Sequence, residues 1–145
     1  VAEDPEIQRR FQHIVLGQAR GQRIIESKLQ TLGEVVFVDL TEVGPITYNK
    51  FLGYYLVPDC TYMVTVTGGK TRGLRIAVGS NPWRPYARQH DIATICAQYG
   101  GGGHAVVGGI SLPHVRIQEG RQIALEIVTK LRGPAAVASD DTSLS

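Results

Sequence analysis

With 145 residues, 43% of them hydrophobic and 19% charged, the chain has the size of one domain with one core, and its composition is neither that of a disordered chain nor that of a membrane one. No apolar run approaches the roughly 18 residues that a bilayer span requires, and the polar, charged residues that follow Val1 are not a secretion signal. The net charge of +2 is too small to announce nucleic-acid binding by itself.

The predicted elements run as follows. The chain starts without Met, which leaves open both simple Met removal and excision from a longer protein. Asp4-Pro5 is a helix start, with Asp as N-cap and Pro at the first helical position. Ile7, Phe11, Ile14 and Val15 then form an apolar stripe. A second helical phase carries Ile24, Ile25 and Leu29, Gly17 and Gly21 weaken the middle, and Gly33 closes the helix. Residues 1–33 are thus an N-terminal helix, either packed on the domain or connecting it to a domain outside the chain. Glu34 to Leu40 reads as a buried strand, rich in Val and Phe. Tyr48, Phe51, Leu52, Tyr55 and Leu56 follow helical spacing until Pro58 stops the pattern. Tyr62 to Thr67 reads as a strand, Gly68-Gly69 as a turn, and Leu74, Ile76 and Val78 alternate as a half-buried strand. The pair makes a hairpin.

Asn81-Pro82-Trp83-Arg84-Pro85 is irregular, because its prolines remove donors. Asp91 caps a short helix with a buried face of Ile92, Ile95, Cys96 and Tyr99, which runs into glycine. Ala105 to Leu112 is a strand whose Gly108-Gly109 marks a bulge or a close approach of backbone or ligand. The last helix carries Ile123, Ile127 and Leu131 and ends at Gly133-Pro134; the small, polar and acidic segment 134–145 is expected to be disordered. Strands alternating with helices give an α/β fold, a single mixed β-sheet with helices packed on it and the N-terminal helix in front.

Cys60 and Cys96 form no CxxC pair and have no His at metal-ligand spacing, so a zinc site is not expected and a reduced, cytoplasmic setting is. Lys70, Arg72, Arg75, Arg84, Arg88 and His90 gather in one stretch. They read either as a region that steers an anion or as a solvated face. The segment with the most chemical character is Gly100-Gly101-Gly102-Gly103-His104. A run of glycines can present backbone N–H groups in a concavity that holds an anion, and the imidazole that follows adds a donor or a positive charge. The bland alternative is a flexible turn between helix and strand. The GK[ST] ending of a P-loop is absent.

The order Ile92 to Tyr99, then Gly100-Gly101-Gly102-Gly103-His104, then Ala105, Val106-Val107 and Gly108-Gly109 resembles the signature of the DHH-associated domain, the C-terminal half of DHH-family phosphoesterases. The resemblance covers roughly residues 34 to 132 and assigns 34–133 to that domain. It implies that a separate N-terminal domain carries an Asp-His-His motif and catalytic manganese, while the associated domain grips a phosphorylated substrate. This chain contains no Asp-His-His and only four histidines, so no cofactor is expected in it; the resemblance implies manganese in a separate catalytic domain, for which a place upstream in the same protein is left open. Members often carry Ser-Arg-Ser before the loop; here Ser80-Asn81-Pro82 stands in its place, leaving Arg84 or Arg88 to supply the charge. Ser80, Arg84, Arg88, Gly100, Gly101, Gly102, Gly103 and His104 are therefore the candidate substrate-binding residues. Trp83 and Tyr86 either stack on a base or cap the core beside the prolines.

The leading reading is a substrate-binding domain of a DHH-type phosphoesterase, acting on nucleotides, oligonucleotides or another phosphorylated substrate and catalytically incomplete alone. The alternatives are a free-standing nucleic-acid or nucleotide binding module and a structural, dimerising domain in which the glycines only permit close packing. No membrane partner is expected, and a homodimer is left open.

Overall fold

The structure, a computed structural model, describes residues 5–43, 46, 48–69 and 73–134; within the first helix the side chains of 7, 8 and 10–18 lie outside that description. The Asp4 cap, the stripe from Ile7 to Val15, Lys70, Arg72 and the tail from 135 onward are therefore outside the described residues. The elements in order are α1 (Pro5–Lys28), β1 (Leu29–Leu32), β2 (Val35–Asp39), α2 (Leu52–Leu56), β3 (Tyr62–Gly69), β4 (Gly73–Ser80), α3 (Ile92–Ala97), β5 (Gly102–Gly103), β6 (Val107–Leu112) and α4 (Ile117–Arg132). Short 3-10 turns at Pro85–Ala87 and His114–Arg116 precede α3 and α4.

The strands form one mixed sheet in the order β1-β2-β3-β4-β6-β5. Only β2 and β3 run parallel; the crossover between them carries α2. The predicted α/β class, with one mixed sheet and a leading helix, is the observed one. Alternation along the strands divides the core in two. Val35 and Phe37, Tyr62, Val64 and Val66, Leu74, Ile76 and Val78, and Ile110 and Leu112 face α3 and α4. Val36, Val38 and Met63 face the other way, against Ile25 of α1 and Leu52 and Tyr54 of α2. Each such buried aliphatic side chain contributes roughly 1.5–3 kcal/mol. The stripe Ile123, Ala124, Ile127, Val128 and Leu131 seats α4 on the first face.

Four details differ from the sequence expectation. Gly17 and Gly21 do not interrupt α1, which is one helix of 24 residues. Leu29 leaves the helix and opens β1, where it pairs with Val38. Gly33, with φ 64°, closes the hairpin between β1 and β2 instead of ending a helix; this left-handed conformation costs a glycine little. Gly68 and Gly69 are not the turn of the next hairpin but its last rungs, opposite Leu74 and Gly73. Ladder pairing between long neighbours has overridden the local turn signal. Among the described residues, no helix is long and apolar enough to cross a membrane.

Candidate functional site

The loop after β4 is held at both ends. At its start, the buried Asn81 donates from Nδ2 to the carbonyls of Cys60 (2.8 Å) and Pro58 (3.2 Å) and accepts from the Trp83 N–H (2.9 Å). Its own N–H donates to Thr61 O at 2.8 Å. At the far end, the Tyr62 hydroxyl accepts from the N–H groups of Gln89 (2.7 Å) and His90 (3.0 Å), and His90 Nε2 lies 2.9 Å from Gly133 O. In the sequence Asn81 stands out as part of an irregular stretch and as the residue in place of the usual Arg, not as the anchor of the loop. The signal that identifies it is its chemistry: a buried amide must find partners for both ends, and here those partners fix the loop.

This loop distributes the expected cations unevenly. Arg88 reaches the turn after β5, with Nη1 2.9 Å from His90 O and 3.4 Å from Ala105 O. Arg84 turns away and donates to the carbonyl of Asp59. Arg75 stands on β4 against Gly109, 3.3 Å from Ser111 Oγ, and His90 is buried. The described members of the basic stretch therefore do not form one patch, because strand and loop send them to different places. Cys60 and Cys96 are free and buried. Burial pushes the Cys60 thiol up to about 11, against a smaller opposing pull from Arg84, and burial also raises Cys96. Neither thiol is an activated nucleophile at neutral pH.

The glycine run closes partly on its own helix and strand. Gly100, at φ 84°, follows the end of α3; its N–H donates to Ala97 O (3.2 Å) and that of Gly101 to Cys96 O (2.9 Å), the paired bonds of a Schellman helix end. Gly101 also lies so close to β6 that a Cβ would meet Gly109 O at 2.2 Å. Gly102 and Gly103 pair with Gly109 and Gly108 as β5. The His104 N–H donates to Val107 O at 2.6 Å. Gly100, Gly101 and His104 thus direct their donors inward. The carbonyls of His104 and Ala105 accept from Ala93 (3.1 Å) and Ile92 (3.0 Å), so the turn also satisfies the first N–H groups of α3. Asp91 caps that helix as expected, accepting from Thr94 N. The His104 ring itself is exposed.

Beside this turn, on the sheet face that carries α2, lies a cleft of about 540 Å³. Its lining includes Met63, Thr65, Ala77 and Gly79 of the sheet, Ser80 and Val107 next to the turn, and Lys50 and Phe51 from the crossover. Arg88 also borders it, so Ser80 and Arg88 come together here, whereas Arg84, His104 and Gly100 to Gly103 do not line it. Ser80 is tied to the turn through Val106 O, which accepts from its N–H (3.0 Å) and its hydroxyl (3.2 Å). Lys50, Phe51 and Thr65 were missed in the sequence. The available signal was the small outward residues of β4, Ala77 and Gly79, which leave the sheet face thin. Among the described residues no group of His, Cys, Asp or Glu is arranged to hold a metal ion. The described residues do not fit the manganese centre that the resemblance places in another domain.

No protein-family model and no curated protein matches the chain. Solved structures do. A pGpG-specific phosphodiesterase from Vibrio cholerae, PggH, aligns with TM-score 0.72 at 22% identity over 88% of this chain and 44% of its own. An exopolyphosphatase-related protein from Bacteroides fragilis aligns with TM-score 0.50 at 16% identity, over 79% of this chain and 36% of its own. The chain therefore spans less than half the length of either protein. These likenesses speak for the fold alone: the chain has the architecture of the matching part of each protein, and its order of elements agrees with the resemblance to a DHH-associated domain that the residues from Ile92 to Gly109 carry.

Proposed function

We propose that the chain is the substrate-binding domain of a DHH-type phosphoesterase, and that it takes a nucleotide, oligonucleotide or other phosphorylated substrate in the cleft beside Ser80 and Arg88. One observation carries this reading: two cations, Lys50 and Arg88, border the cleft, and no carboxylate does among the described residues. Such a site favours an anion. Arg88 is steadied by the two carbonyls it already meets, and a guanidinium has five N–H donors, so it keeps donors for a phosphate. Ser80 offers a hydroxyl oxygen at the same edge. The exposed His104 belongs to the same turn without lining the cleft, and in this reading it meets a part of the substrate that extends beyond the cleft. The catalytic metal, manganese in this reading, belongs to a domain outside the residues described, and no step of the chemistry is assigned to this chain.

The experiment is a calorimetric titration of the 145-residue chain with the linear dinucleotide pGpG and with inorganic tripolyphosphate across salt concentration. Both ligands should bind. Arg88→Ala and Lys50→Ala should each weaken binding and each reduce the salt slope by roughly one counter-ion. Unchanged affinity and slope in both folded variants would move the site elsewhere.

A further inference from the structure

We propose that the aromatic shelf of Phe51, Tyr55 and Trp83 stacks the base of a nucleotide whose phosphate occupies the adjoining cleft. The inference rests on the reading of the cleft given above and narrows its substrate class to one that carries a nucleobase.

These three rings are 36%, 57% and 54% exposed, respectively. Large aromatic side chains clustered at a surface mark a contact site more often than isolated exposed ones do. The shelf is built rather than loose. Trp83 meets Phe51 edge-on with centroids 5.8 Å apart and lies tilted against Tyr55 at 5.1 Å. Its backbone N–H is fixed by Asn81 Oδ1, so little mobility is lost when a ligand arrives. The shelf is continuous with the cleft, because Phe51 belongs to both and Pro82 and Pro85, on either side of Trp83 and Arg84 in the chain, also line the cleft.

Charge selects among possible occupants. The Lys50 ammonium lies 5.3 Å from the Phe51 ring centre, and the Arg84 guanidinium 5.9 Å from that of Tyr86. An aromatic surface flanked by cations and opening into a cationic cleft matches a ligand that is flat and apolar on its faces and anionic along its backbone. A nucleotide meets all these conditions. Inorganic polyphosphate has no ring to stack and meets only the last.

Trp83 is the one tryptophan of the chain, so its fluorescence reports the shelf directly. Saturable quenching is expected on titration with pGpG and not with tripolyphosphate. Trp83→Ala should lower pGpG affinity by roughly ten-fold, within the usual range for loss of one base–aromatic stack, while tripolyphosphate affinity stays constant; Trp83→Phe should recover much of the loss. Circular dichroism identifies any variant that has not folded, and the Trp83→Phe comparison does not depend on the alanine variant. If tripolyphosphate binds and Trp83→Ala leaves pGpG affinity unchanged, the shelf has no part in recognition, although the cleft does. If neither ligand binds the unaltered chain, both the shelf and the cleft are refuted as sites.

Discussion

At the residue scale, the glycines of the central loop are not interchangeable. Gly103 has φ 149°, and a Cβ there would stand 2.4 Å from Gly108 Cα and from Val107 O. Gly102, its neighbour, faces open space. Gly103→Ala should therefore destabilise the fold by at least about 2 kcal/mol, since strain and a backbone clash add. Gly102→Ala should change stability by less than about 1 kcal/mol and in the favourable direction if it changes at all. Urea denaturation of the two variants tests this; equal losses would mean that the run acts as a uniform flexible link. The sequence shows that these positions must be glycine-rich but not why. A run of donors aimed at an anion and a run closed upon its own helix and strand share one composition, and only the partners of Gly100, Gly101 and His104 separate them. Ser80 and Arg88 were legible as site candidates through the resemblance, Ser80 by its place in the matching stretch and Arg88 as a cation that could replace the arginine missing from it. Lys50 and Phe51 were not, because the crossover that brings them to the cleft is invisible in local pattern.

At the scale of elements, periodicity was the reliable signal. The alternation of Leu74, Ile76 and Val78 and the stripe Ile123, Ile127 and Leu131 each specify which face is buried, and the two faces meet in one core. Their closeness depends on Gly120, where a Cβ would meet Leu74 Cδ2 at 1.8 Å. Gly120→Ala should push α4 off β4 and cost about 1–3 kcal/mol despite the better helix propensity of alanine, as overpacking does. A measured gain in melting temperature would show that Leu74 moves aside freely. Element boundaries were harder to read. Leu29 fits the helical stripe of α1 as well as it fits β1, and only the presence of Val38 across the ladder decides between them. Likewise, Gly68-Gly69 has turn composition, yet pairing with β4 continues through it.

At the scale of the molecule, the parallel pairing of β2 with β3 and the skipped order of β5 and β6 depend on contacts distant in sequence, which is why class was legible and topology was not. The same topology places α3 on one face of the sheet and the cleft on the other. The backbone bonds that close the turn nevertheless join them: His104 and Ala105 hold the first turn of α3, Gly100 and Gly101 hold its last, and Val106 and Ala105 accept from Ser80 and Arg88 at the cleft. Residues 91–109 are thus a closed circuit that passes around the sheet edge. Such a circuit is expected to open as one unit in amide hydrogen exchange. A ligand touching only Ser80 and Arg88 should slow exchange at Ile92, Ala93 and Gly101 together, on the side of the sheet it never reaches, and protection confined to the cleft would show that the circuit opens in separate pieces.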